Sequence, residues 1–202
     1  MKFVFLHGLG QTAHDWQSVI HQSSLSDADC PELFSLAEND FTYSGILSGL
    51  ERFYSNASEP FVLCGLSLGA LLALDYTIRH PKQISSLILV GAQYKVPTRL
   101  IDFQNLFFRC MPENAFTDMG LSKHDTIQLS LSMRTLDFSS KLSKLHCPVT
   151  VICGDKDRAN LKAAKQLHAL LPQSHLHIIP AAGHEVNKDA PKALAALIEN
   201  CI

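Results

Sequence analysis

The chain is built from short apolar runs that stop at glycine, with helix-patterned segments between them. Phe3 to Leu6 ends in His7-Gly8-Leu9-Gly10, and Phe61 to Cys64 ends at Gly65. Ser86 to Val90 ends at Gly91, and Val149 to Cys153 follows Pro148 and ends at Gly154. Leu33 to Ala37 is a weaker run of the same kind, and Leu176 to Ile179 precedes Pro180. Several runs are continuously apolar and rich in β-branched or aromatic residues, as strands covered on both faces are. Thr12 to Ile20, Ser44 to Tyr54, Leu68 to Arg79, Asn160 to Leu171 and Pro191 to Cys201 read as helices. Ile46, Leu47, Leu50 and Phe53 recur at helical spacing, Asn160 stands where an N-cap would, and Pro191 fits a first turn. Strands alternating with helices predict an α/β chain: a mostly parallel sheet of about six strands with helices on both faces.

One segment breaks the alternation. From Tyr94 to about Leu145 there is no clear strand, and Pro97 and Pro112 punctuate a stretch holding Phe103, Leu106, Phe107, Phe108, Met111, Phe116 and Met119. A short helical lid inserted at about 95–145 fits this region. With 202 residues, the expectation is one domain over 1–202 that carries this lid.

Composition removes several classes of function. A net charge of -2 leaves no basic excess to neutralise phosphates, which argues against a nucleic-acid partner. No apolar stretch approaches the length of a membrane span, and the first apolar run stops at His7-Gly8, too short for an export signal. The six cysteines, at 30, 64, 110, 147, 153 and 201, are then read as reduced thiols in a cytoplasmic protein.

Gly65-Leu66-Ser67-Leu68-Gly69 is the motif most informative about chemistry. It lies between the run Phe61 to Cys64 and an apolar helix, the context in which G-x-S-x-G marks a nucleophile on a sharp strand-to-helix turn. Both glycines are needed because side chains there would collide across the turn. The following helix brings its N-terminal amides and dipole to the serine oxygen. Ser67 is therefore the candidate nucleophile. The glycine-containing loop after the first strand can bring a second amide close, so the backbone N–H groups of Leu9 and Leu68 form the candidate oxyanion hole.

A serine needs a base, and His184 stands in Ala181-Ala182-Gly183-His184, just after the last strand. His175 and His177 flank that strand's core on one face and lack a third metal ligand at a convincing spacing. The base in turn needs a carboxylate. Gly154-Asp155-Lys156-Asp157 follows the fifth strand and offers two. Asp157, further along the loop, is the better placed to reach a histidine on the neighbouring strand. Asp155 is its rival, read as a turn cap. The chain order is then Ser67, Asp157, His184.

Over almost its whole length the chain resembles the α/β-hydrolase superfamily. The resemblance rests on Phe5-Leu6-His7-Gly8 with Trp16, Gly65 to Gly69, and His80-Pro81 before Leu87 to Val90. It continues through Cys147-Pro148-Val149 to Gly154 and Asp157, and Gly183 to Asn187 followed by Pro191. It implies a three-layer fold with Ser67 as nucleophile, Asp157 as acid, His184 as base, and Leu9 and Leu68 as amide donors. Asp137 resembles a structural position just before the acid strand. Two departures stand out. The two antiparallel strands that usually open the fold are expected to be absent, and the lid is short, so an open pocket is expected. Phe103, Phe107 and Met111, with Phe108 and Phe116, are candidates for its acyl side, although helical spacing also fits packing within the lid.

The expected activity is hydrolysis of carboxylic esters or thioesters of small, mainly uncharged acyl substrates, through an acyl-enzyme on Ser67 and without metal or organic cofactor. The rivals are a C–C bond hydrolase or an acyltransferase on the same residues, or a ligand-binding receptor with little turnover. The lid is also a candidate homodimer surface.

Overall fold

A computed structural model describes residues 1–38, 40–117 and 120–201; Met119 of the lid lies outside them. The chain begins with β1 (Phe3–Leu6), a 3-10 turn at Ala13–Trp16 and α1 (Gln17–His21). Next come β2 (Ala28–Asp29), α2 (Leu33–Leu36), α3 (Tyr43–Phe53), β3 (Phe61–Leu66), α4 (Leu68–Arg79) and β4 (Ile84–Val90). The insertion holds α5 (Thr98–Cys110), α6 (Asn114–Thr117), α7 (Lys123–Ser132) and a 3-10 turn at Ser139–Lys144. β5 (Val149–Gly154), α8 (Leu161–Leu170), β6 (His175–Ile179), α9 (Val186–Asp189) and α10 (Pro191–Glu199) follow.

The strands form one six-stranded sheet in the order β2-β1-β3-β4-β5-β6, and every pairing in it is parallel. Alternate residues of each strand serve opposite layers. Phe3, Phe5, Val62, Cys64, Ile88 and Ile152 pack with Trp16 and Val19 on one side, together with Leu194 and Ile198 of α10. Val4, Leu6, Leu63, Leu87, Leu89 and Val151 face the other way, onto α3, α4 and α8. Helices thus cover both faces, which is why β1, β3 and β5 are buried along their whole length. Among the described residues no helix is long and apolar enough to cross a membrane.

The run Leu33 to Ala37 is not a strand. Residues 33–36 form α2, and the edge strand β2 lies earlier, at Ala28–Asp29. Leu33, Phe34 and Ala37 are buried at a spacing of i, i+1, i+4, a helical face rather than an alternation. Nε2 of the buried His7 lies beside the start of this helix, 2.8 Å from Glu32 Oε1 and 3.1 Å from Leu33 N. In the insertion, an antiparallel bridge between Lys95 and Asp137 joins the two ends. Asp137 also accepts from Ser139 N at 2.9 Å and pairs with Lys95 Nζ at 2.9 Å, in keeping with a structural role.

Candidate active site

β3 runs directly into the turn that carries Ser67. Ser67 has φ 55° and ψ -110°, a conformation sparsely allowed to a residue with a side chain. The turn is held by Ser67 N donating to Val90 O of β4 at 3.0 Å, and by the Ser67 carbonyl accepting from Ala70 N and Leu71 N. Its tightness requires the two flanking glycines. A Cβ on Gly65 would lie 2.1 Å from Gly69 O, and one on Gly69 would lie 2.1 Å from Leu6 O. Leu68 is the first residue of α4, so its N–H has no intrahelical acceptor and faces the dipole's positive end outward.

The loop after β1 comes equally close. A Cβ on Gly8 would sit 3.1 Å from Leu66 Cδ2 and 3.5 Å from Ser67 Cβ. Among the described residues the Leu9 N–H has no hydrogen-bond acceptor, and Leu9 lines the same cavity as Ser67. The two amides singled out from the sequence are therefore both unpaired beside the serine.

His184 stands in the loop after β6, and its Nδ1 lies 2.7 Å from Asp157 Oδ2. Asp157 is buried while the His184 side chain is 41% exposed, so one end of the imidazole is anchored and the other faces the cavity. An Nδ1–H that donates a hydrogen bond to the carboxylate leaves the Nε2 lone pair free to take a proton. Burial alone would raise the Asp157 carboxyl. The bonds from His184 and Asn160 outweigh that and hold it below its ordinary value. No hydrogen bond joins Ser67 Oγ to His184 among the described residues, though both open on one cavity. In empty sites such contacts are commonly long and tighten with substrate.

Asn160 departs from its expected role. It occupies the N-cap position of α8 but makes no side-chain cap bond. Its Nδ2 donates instead to both Asp157 oxygens, at 2.9 and 2.8 Å, and its Oδ1 accepts from Gln93 Nε2 at 2.6 Å. Asn160 Nδ2 and His184 Nδ1 lie 3.0 Å apart because both donate into one carboxylate, not because they bond each other. Asp155 is also not the cap it was expected to be. Its backbone N–H pairs with Ile179 O and its side chain is exposed, while Asp157 Oδ1 takes the Asn160 N–H at 3.2 Å. The histidine loop is further tied by Gly183 N donating to Asp189 Oδ2 at 2.7 Å.

Ser67, His184, Asp157, Asn160, Leu9 and Leu68 border a cavity of about 460 Å³ whose other wall comes from α5 and Met133. Phe103 and Phe107 of α5 border the cavity, and they are 71% and 59% exposed. Met111 does not line it. α5 ends at Cys110, Met111 continues in extended backbone, and its carbonyl accepts from Lys123 Nζ at 2.7 Å. Phe116 is buried and packs edge-on against Phe108 inside the lid. Leu100, Ile101 and Met133 line the cavity without having been singled out from the sequence. No lysine or arginine lines it among the described residues. Burial and the neighbouring Asp157 push the Cys153 thiol up to about 12, so it stays protonated at neutral pH. No group of histidine, cysteine and carboxylate side chains able to hold a metal ion occurs among the described residues, His175 and His177 included.

These features define a hydrolase-type α/β protein, and the sequence comparison places it. The profile of the alpha/beta hydrolase family matches residues 3–197, and the chain belongs to that family. A Haemophilus influenzae protein named as a 2-succinyl-6-hydroxy-2,4-cyclohexadiene-1-carboxylate synthase is 28% identical, spanning 100% of this chain and 97% of its own. A Bacillus subtilis protein of the same name is 22% identical over 96% of this chain and 88% of its own. A solved thermophilic esterase from Thermogutta terrifontis superposes with a TM-score of 0.79 at 18% identity, covering 99% of this chain and 88% of that one. That likeness shows the fold.

Proposed function

We propose that the chain is a serine hydrolase cleaving carboxylic esters, or thioesters, of small and mainly uncharged acyl substrates. One observation carries the reading: a serine at positive φ opens onto an apolar cavity that it shares with a histidine 2.7 Å from a buried carboxylate. Ser67 Oγ attacks the acyl carbonyl as His184 Nε2 takes its proton. Asp157 holds the imidazole's tautomer and stabilises its charge. The Leu9 and Leu68 N–H groups receive the tetrahedral oxyanion. His184 then protonates the leaving oxygen or sulfur, and water releases the acyl group by the same route.

The synthase named for the two relatives makes a product whose name includes a carboxylate and a succinyl group. A site for such a molecule needs cations to pair with, and among the described residues no lysine or arginine lines this cavity. That difference favours an uncharged acyl group over an anionic substrate of the kind the relatives' name describes. The test is a panel of p-nitrophenyl esters of increasing chain length with an acyl-CoA included, run beside fluorophosphonate labelling. Turnover and labelling that both vanish in Ser67→Ala support the reading. A folded wild type that neither labels nor hydrolyses any panel member refutes it and leaves the receptor reading.

A further inference from the structure

Gln11, two residues after Leu9 in the same loop, is 2% exposed. Every hydrogen-bonding position of its side-chain amide is used. Nε2 donates to Glu185 Oε1 at 2.9 Å and to Asn187 Oδ1 at 3.2 Å. Oε1 accepts from Gly8 N at 3.3 Å and from Asn187 Nδ2 at 3.3 Å. Asn187 is fully buried, and its Nδ2 donates also to Asp15 O at 3.1 Å. The two carboxamides thus form a closed reciprocal pair across 176 positions of sequence. One partner stands in the loop that carries Leu9. The other is three residues after His184. A buried polar pair in which every donor is used and each oxygen has a partner is rigid and specifies one arrangement of the segments it joins.

The same loop has its peptide plane fixed. The Gly8 carbonyl accepts from Gln11 N at 3.2 Å and from His7 Nδ1 at 3.0 Å. The C=O and N–H of a trans peptide point in opposite directions, and the structure has no cis peptide among its described residues. Holding the Gly8 carbonyl toward His7 and Gln11 therefore turns the Leu9 N–H the other way, and Leu9 borders the cavity. His7 is buried and held in turn by Glu32, whose Oε1 is 2.8 Å from His7 Nε2.

The geometry points to Gln11 as a positioning residue that, paired with Asn187, sets the separation of the oxyanion amide and the histidine loop. Gln11 does not line the cavity, so it acts through its neighbours. The brace itself rests on the hydrogen bonds alone; its effect on turnover rests on the serine-hydrolase reading above.

Gln11→Glu tests it with little change of shape. Glutamate keeps an acceptor for Gly8 N but turns the donor into an oxygen that faces the oxygens of Glu185 and Asn187. With p-nitrophenyl acetate, kcat per fluorophosphonate-titrated site is expected to fall about ten- to a hundredfold, because oxyanion donors and base lose their register. KM should change less than about threefold. Adding Glu185→Gln puts a donor opposite the new carboxylate, and the double variant should regain at least about tenfold of a hundredfold loss. A merely structural role would lower the titrated fraction and the Tm while leaving kcat per site intact. Amide hydrogen exchange gives a readout free of the chemistry. Residues 8–12 and 184–190 should exchange faster together in Gln11→Glu and slow together in the double variant. Wild-type kcat per site in Gln11→Glu, or faster exchange confined to residues 8–12, overturns the proposal. A wild type without ester turnover sinks the hydrolase reading instead, and the exchange experiment still decides the brace.

Discussion

Replacing Asn160 with alanine removes two donor contacts from a buried carboxylate and leaves the rest of its shell in place. Asp157 keeps His184 Nδ1 at 2.7 Å and the residue-160 backbone N–H at 3.2 Å, but loses the Nδ2 contacts at 2.9 and 2.8 Å. A hydrogen bond to a charged group contributes about 1.5–3 kcal/mol, and one NH2 shared between two oxygens should count once, so a loss of about 2 kcal/mol is expected. The loss should depend on pH. In the folded protein the Asp157 carboxyl lies below its ordinary value, against the rise that burial alone would cause, because His184 and Asn160 favour the charged form. Its contribution to stability is fully present above the unfolded carboxylate value of about 4, and disappears as pH falls through the folded one. Asn160→Ala shrinks this depression, so the gap between wild type and variant is widest near neutrality and narrows in acid. Urea unfolding of both proteins at pH 7 and at about pH 3.5 measures it, with m-values checked for equality. A gap of the same size at both pH values would mean lost packing, not lost charge stabilisation, and would refute the argument. Ester turnover should fall with the carboxylate's anchoring, about tenfold or more in kcat, with KM nearly unchanged.

Asp157→Asn should cut kcat by about four orders of magnitude by presenting the wrong hydrogen-bonding partner to His184, whereas Asp155→Asn should stay within about twofold; steady-state kinetics on one ester separates them, and the reverse result would move the acid to Asp155. Phe103→Ser and Phe107→Ser at the cavity mouth should raise KM for long-chain p-nitrophenyl esters while leaving the acetate ester nearly unchanged, since each removes about 1–3 kcal/mol of apolar contact that only a longer chain makes. Gly154→Ala puts a Cβ 2.3 Å from both Ala182 O and Gly183 O, so the histidine loop must shift; circular dichroism should report a retained fold while turnover drops about a hundredfold or more, and full activity would show that the loop position does not matter.

Much of the molecule was legible in the sequence because the constraint was local. Buried parallel strands read as apolar runs, and the runs from Phe61, Ser86 and Val149 fell where β3, β4 and β5 lie. The turn at Ser67 announced itself through two glycines whose absent side chains would each meet a backbone oxygen at 2.1 Å. β2 has only two residues, Ala28 and Asp29, too few to carry any period. The run Leu33 to Ala37 looked like a strand because its apolar content, not its spacing, dominated the reading. Asn160 does stand at the N-cap of α8, but its side chain makes no cap bond. Only the neighbouring carboxylate reveals that its amide is used elsewhere. Met111 followed a phenylalanine-rich helix and was grouped with it, but the helix stops one residue earlier.

The parts that escaped share a physical cause, which the sheet order makes plain. β3 and β4 lie between β1 and β5, so Leu9 and Asp157 sit on opposite sides of Ser67, and β6 lies one strand further out. A histidine on the loop after β6 reaches the middle of the site only if that loop folds back over the end of β5. The crossing is visible where Ala182 O and Gly183 O press to 2.3 Å of the space a Gly154 side chain would fill. A returning loop of this kind has no period of its own, so its path is set by tethers at its ends: Gly183 to Asp189, His184 to Asp157, and Asn187 to Gln11. Two of these three tethers reach segments distant in sequence. The candidate residues Ser67, Asp157 and His184 are therefore marked by their positions after strands, while the residues that hold them in register are marked only by what they touch.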